Sequence, residues 1–168
     1  MKTDDPRIEA KRKEIAERVE KYNALMLATI KAHLAVEQAM DGFLADALFH
    51  SKYIEERRFG FRHKMKICQA MSLKESDDKL WGVLGAFSAL RNKMAHTSDL
   101  DAIQKTMDQL RKVYFNALTE KQAEGLKKEP DHIVAQTAAF LCGGFIATLA
   151  EDAKAQRKVI DQHWKPAG

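Results

Sequence analysis

The stretch Leu80-Trp81-Gly82-Val83-Leu84-Gly85-Ala86-Phe87-Ser88-Ala89-Leu90-Arg91-Asn92-Lys93-Met94-Ala95-His96 decides the fold class. Its large apolar side chains Leu80, Trp81, Leu84, Phe87 and Leu90 recur at three- and four-residue steps, the spacing of one buried helix face. Ser76-Asp77-Asp78 just before it offers side-chain oxygens that can cap a helix start. Thr97-Ser98-Asp99 just after it reads as a helix stop and a new cap. The run therefore predicts a helix that ends at about His96.

Working outward, the same period recurs. Asp5-Pro6 reads as a helix start with proline in the first turn, followed by a charged, solvent-facing stretch from Arg7 to Lys21. Leu27, Ile30, Leu34, Phe43, Leu44 and Leu48 then fall close to helical spacing and are the expected core face of a long helix. Phe59-Gly60-Phe61 interrupts the pattern, and residues 61–71 predict a short helix. Residues 99–118 predict another, and Glu129-Pro130-Asp131 opens a last one that runs to about His163. No β-branched run alternates with polar residues, so strands are not expected. The expected fold class is all-α: one helical bundle of five to six helices over 1–168. It would have a charged N-terminal helix extension over 1–21 and a long C-terminal helix over 131–164.

Composition agrees with a soluble globular chain: 45% hydrophobic and 31% charged residues in 168. Cys68 and Cys142 lie far apart without metal-ligand spacing and fit reduced thiols in the cytoplasm. The dense mixed charge of the first twenty residues excludes a signal or transit peptide reading. Residues 133–150 are apolar and nearly long enough to span a bilayer. Gln136, Thr137, Thr148 and the pair Gly143-Gly144 favour a buried helix, with no membrane expected. Ala135, Ala139, Gly143 and Ala147 recur every four residues, a row that admits a second helix closely, within the subunit or between subunits. The methionines, Met26 and Met40 among them, are expected in the core.

The chemistry-bearing string is Arg91-Asn92-Lys93-Met94-Ala95-His96. Arginine presents a permanent planar charge to phosphate oxygens, and histidine exchanges a proton near neutral pH. On an ideal helix positions five apart point about 140° apart, so Arg91 and His96 converge only if the helix ends or kinks between them. Leu90 and Met94 would then bury, leaving Asn92 polar beside Arg91. The same residues also suit a surface ion pair and a capping histidine.

Residues 52–66 gather six basic side chains, Lys52, Arg57, Arg58, Arg62, Lys64 and Lys66, against Glu55 and Glu56. Tyr53, Phe59 and Phe61 are interleaved, as in surfaces that bind a nucleic-acid backbone and stack on bases. A solvated connector with core-plugging aromatics fits as well. His33 and Glu37 share a helix face four residues apart, as a metal pair or a buried polar pair would. No glycine-rich phosphate loop, nucleophile elbow or carboxylate pair is present, and neither metal nor cofactor is expected.

Leu90-Arg91-Asn92-Lys93-Met94-Ala95-His96, at the end of an apolar helix, resembles the signature of the HEPN superfamily: arginine, a polar residue that is often asparagine, a few residues and then histidine. The long helix with His33-Leu34-Ala35-Val36-Glu37, a connector and the short helix around Lys64 are similarly ordered. The resemblance implies an all-α, dimeric, metal-independent endoribonuclease acting on RNA, in many cases a toxin or antiphage effector held by an antitoxin or regulatory partner. Arg91 would stabilise the scissile phosphate and Asn92 would orient the phosphate or the histidine. His96 would act as general base or acid across the dimer cleft. Lys93 and the basic residues of 52–66 would hold RNA, and His33 and Glu37 would support the site, with Glu37 steadying His96 or Arg91. Alanine before the histidine is also similar to mannitol-operon repressor-like regulators, which implies the alternative of a non-catalytic regulatory module.

Overall fold

The structure, a computed structural model, describes residues 5–55, 59–73 and 78–163. Its helices are α1 (Pro6–Ala47), the single turn α2 (Lys52–Glu55), α3 (Phe61–Met71), α4 (Lys79–His96), α5 (Leu100–Ala117), α6 (Glu120–Leu126) and α7 (Asp131–His163). Leaving aside the single turn, these are six helices, and no strand occurs among the described residues, so the chain is all-α.

Local chemistry sets the ends. Asp5 caps α1 through its carboxylate and the Arg7 N–H, with Pro6 in the first turn, where a missing N–H costs nothing. Asp78 accepts from the Leu80 N–H at 2.8 Å and starts α4; Ser76 and Asp77 lie outside the described residues. Thr97 closes α4, and two residues later Asp99 caps α5 through the N–H groups of Asp101 and Ala102. Helix α6, which the hydrophobic period did not predict, begins at a capping pair. The Gln122 side-chain oxygen accepts from the Thr119 N–H at 3.1 Å and the Thr119 hydroxyl at 2.7 Å. Thr119-x-x-Gln122 was the signal available for it.

Helix α1 is continuous, so the charged extension and the core helix of the sequence reading are one rod. Residues 6–20 are exposed throughout and rely on Ala, Lys, Glu and Arg, all strong helix formers. An ion pair from Arg18 to Asp101 ties this rod to the start of α5. Farther along, α1 lies parallel to α7. Tyr22 and Leu25 share a groove with Asp131 and His132 at one end, Lys154 reaches Asp46 at 3.4 Å, and Arg157 donates to the Leu48 carbonyl at 3.0 Å at the other. The two helices are thus in register with an offset of 108 to 109 residues.

Helices α4 and α5 form an antiparallel hairpin, its open end fastened by Lys79 donating to the Asn116 carbonyl at 3.0 Å. The hairpin packs on the α1–α7 pair, and α3 packs against α1 and α4. The core between them contains Val36, Met40, Phe43, Leu84, Phe87, Leu90, Met107, Leu110, Val134 and Ile146, all essentially without solvent contact. Arg111 closes the α5–α7 corner, donating to Asp131 at 2.7 Å and to the Glu129 carbonyl. Cys68 and Cys142 are free and buried, and burial pushes both thiols up to about 12, so neither supplies a thiolate.

Two expectations are corrected. Leu27, Ile30 and Leu34 are 56%, 43% and 56% exposed, and Met26 is exposed as well. The buried face of α1 is instead Leu25, Thr29, Ala32, His33, Val36, Met40, Phe43 and Leu44, chosen by where α4 and α7 lie. The four-residue row on α7 also splits: Ala135 and Ala139 are buried, whereas Ala147 is exposed, because a four-residue step drifts around the helix. The apolar window of α7, long enough by composition to cross a membrane, is only 50% buried. Gly143 and Gly144 sit in it at a cost of about 1 kcal/mol each relative to alanine in a helix interior.

Two stability outcomes follow from the core. Phe87→Ala should lower unfolding free energy by about 3–5 kcal/mol, transfer and cavity terms together, read as an earlier urea midpoint. Thr29 Oγ1 is buried without a hydrogen-bond partner among the described residues. Thr29→Val, which keeps the shape and removes the hydroxyl, should therefore raise stability by about 1 kcal/mol. A destabilised valine variant would show that the hydroxyl is satisfied in solution.

Candidate functional site

The Arg91–His96 string occupies the last turns of α4. Leu90 and Met94 are buried against the core, and Asn92, Lys93 and His96 are exposed. His96 is the final helical residue, and the Thr97 N–H bonds back to the Lys93 carbonyl at 3.1 Å. Arg91 is half-buried and donates through Nη1 to Asn92 Oδ1 at 3.3 Å. Arginine and asparagine are therefore coupled, whereas the sequence reading has Asn92 polar beside Arg91 and, by resemblance, orienting the phosphate or the histidine. The helix does not kink between Arg91 and His96, so the two side chains leave it about 140° apart. One chain does not bring them together by bending α4. His96 has no hydrogen bond or ion pair among the described residues and is open to solvent.

The groups gathered near Arg91 come from α1 and α3. His33 is buried, its ring stacked on Phe61 with centroids 4.3 Å apart and planes at 27°. Its Nδ1 is 3.8 Å from Glu37 Oε2. Lys64 of α3 reaches Glu37 Oε1 at 2.9 Å and Asp41 at 2.9 Å. The spacing His33, Glu37, Asp41 puts all three on one stripe of α1, which the four-residue period could have revealed. Sequence reading named the first two and missed Asp41.

Electrostatics distinguish the members of this junction. Burial, above all, holds the His33 imidazole below its ordinary range. The Arg91 charge adds to this, Glu37 opposes it, and Lys64 again lowers it. His33 is thus harder to protonate than a free imidazole. For Lys64, burial works against the charge, but hydrogen bonds to Asp41 and Glu37 outweigh it and hold the ammonium above the ordinary lysine value.

The expected RNA contacts separate into groups. Lys52, Arg62, Lys66 and Lys93 are exposed. Lys52 lies over the neighbouring Tyr53 ring at 5.1 Å, and Lys66 donates to Gln69 at 3.0 Å. Lys64, with its side chain only 18% exposed, is committed to two carboxylates. Arg57 and Arg58 lie outside the described residues. Phe61 is partly buried against the core and stacked on His33, so it plugs the bundle, whereas Tyr53 is 62% exposed. The close partners of the Glu37 carboxylate are Lys64 and His33, and neither is part of the α4 string. His33 and Glu37 acquire no third metal-binding side chain: among the described residues no group of three His, Cys, Asp or Glu forms.

The lowered His33 pKa carries a sign. The unfolded chain takes up the proton at higher pH than the folded one, so this contribution to stability is complete above the ordinary imidazole value. It is lost as pH falls through that value toward the folded one. Chemical denaturation from about pH 8 to about pH 5 should show stability falling, and His33→Gln should flatten the fall. An equal slope in wild type and variant would mean that other groups set it. Comparison with protein-family models, curated proteins and solved structures finds no match to this chain.

Proposed function

We propose that the chain is a HEPN-like, metal-independent endoribonuclease that cleaves RNA through the ribose 2′-hydroxyl, with Arg91 and His96 as its catalytic residues. The observation that carries this reading is the terminal position of the string. An arginine held by asparagine and a solvent-exposed histidine end one apolar helix, with Lys93 beside them. Arg91 neutralises charge building on the scissile phosphate. Its partner Asn92 fixes the guanidinium plane. His96 takes the 2′-hydroxyl proton as general base or protonates the 5′-oxygen as general acid. Because Arg91 and His96 diverge on one helix, the reading requires two copies, each histidine serving the phosphate held by the other subunit's arginine. The products are a 2′,3′-cyclic phosphate and a free 5′-hydroxyl. Lys52, Arg62 and Lys66 supply further positive charge for the backbone. In this reading the protein acts in the cytoplasm, as a toxin or antiphage effector under a partner's control.

The test is cleavage of labelled single-stranded RNA in excess EDTA. Wild type should cut and leave the cyclic phosphate, and a 2′-deoxy substrate should survive. His96→Ala and Arg91→Ala should each lose about 10²–10⁴-fold in rate. Because His96 is exposed, His96→Ala should keep the wild-type thermal midpoint, so its loss of activity reads chemistry and not folding. Binding of nucleic acid without cleavage, unaffected by both substitutions, would instead support the regulatory-module reading.

A further inference from the structure

A groove of about 590 Å³ lies where α1 passes the starts of α5 and α7. Small-molecule sites fall in the range of ~300–1,000 Å³. The floor is apolar: Leu25 and Ile103 are buried, at 4% and 2% exposure, and the Tyr22 ring and Pro130 complete it. None of Arg91, Asn92, Lys93 and His96 lines the groove, so it is separate from the string on α4.

The polar lining divides into groups already engaged and groups still open. Asp131 accepts from Arg111 Nε at 2.7 Å and from Gln104 Nε2 at 3.1 Å. Asp101 is paired with Arg18. Both carboxylates and both guanidinium groups of the groove are thus engaged with one another. Lys21, Tyr22 and His132 line the same groove, and among the described residues none of their side chains has a hydrogen bond or an ion pair. The open groups are therefore an ammonium, a phenolic hydroxyl and an imidazole, all of which can donate. Three cations, Arg18, Lys21 and Arg111, stand against two carboxylates, so the charge left over is that of Lys21. An amine would meet a like charge there and find both carboxylates taken. An anion would find an ammonium and further donors around it.

We propose that this groove binds a small organic anion, a single carboxylate or phosphate group on an apolar, ring-sized body. The head group takes the Lys21 ammonium, with the Tyr22 hydroxyl and a His132 N–H as further donors. The body covers Leu25, Ile103 and Pro130 and removes apolar surface from water. Such a ligand touches α1, α5 and the start of α7 together, at the point where the exposed rod of residues 6–20 leaves the bundle. Binding therefore fastens a junction that the Arg18–Asp101 ion pair also ties. The inference stands on the cavity and its open donors, and is independent of ribonuclease chemistry.

Isothermal titration calorimetry of the full chain with indole-3-acetate and with phenyl phosphate tests it. At least one of the two should bind with a dissociation constant of ~1 mM or tighter and raise the thermal midpoint. The tighter of the two identifies the head group. Indole-3-acetamide keeps a ring body without the charge, and inorganic phosphate keeps the charge without a body. Each should bind at least about tenfold more weakly. Lys21→Met should weaken the anion by about tenfold or more. Lys31→Met, at an exposed lysine of the same helix outside the groove, should leave binding unchanged. Both lysines are exposed, so both variants should keep wild-type helicity by circular dichroism. Failure of both anions to bind overturns the proposal. So does binding that survives Lys21→Met, or that is equally tight for indole-3-acetamide. RNA cleavage plays no part in this readout, so its presence or absence leaves the result intact.

Discussion

The parallel seating of α1 on α7 is the contact on which the rest of the bundle depends. It is the most extensive contact between helices, and it works because small side chains let two long helices approach over many turns. Ala32 of α1 and Ala135, Ala138 and Ala139 of α7 are all nearly inaccessible, with Val36, Met40 and Ile146 filling the space beyond them. Parallel neighbours cannot be joined by a short turn. The chain must travel back, and α3, the α4–α5 hairpin and α6 are that return path, folded onto one side of the pair. This leaves the opposite side of the pair bare, which is why an apolar window on α7 is half covered.

Where three helices meet, the same packing creates a polar junction. Helix α3 lays Phe61 on His33 and brings Lys64 between Glu37 and Asp41, while α4 brings Arg91 toward the buried imidazole. Among the described residues each charge has an opposite charge at hand except for the arginine, which is half-buried and bonded to the neutral Asn92 side chain. A guanidinium in that state keeps its capacity to take an anion, because no carboxylate neutralises it. Lys64 is in the opposite state: its hydrogen bonds are spent within the fold.

These two cations show how far a linear reading reaches. Counting basic residues over 52–66 treats Lys64 as equal to Lys52, Arg62 and Lys66. Whether a lysine is available for a ligand depends on which carboxylates face it across 23 to 27 residues of sequence, and spacing within one segment does not carry that information. The terminal placement of His96, by contrast, was legible, because a threonine stop and an aspartate cap act within a few residues of it. The divergence of Arg91 and His96 was legible from helix geometry alone once the absence of a kink was known.

The sequence by itself determined the all-α class, the starts of α1, α4 and α5, the buried state of Leu84, Phe87, Leu90 and Met94, and the position of the Arg91–His96 string at a helix end. All of these follow from hydrogen bonds and side-chain periods that act over one or two turns. Only the tertiary structure decided which face of α1 is core. Its apolar residues surround more of the helix than one neighbour can cover, so Leu27, Ile30 and Leu34 match the helical period and still face solvent. The burial of His33, the pairing of Lys64 and the bare face of α7 were decided there too. Each depends on which helix comes alongside, and that choice belongs to the packing of the whole chain, where apolar area is removed from water by long-range contact.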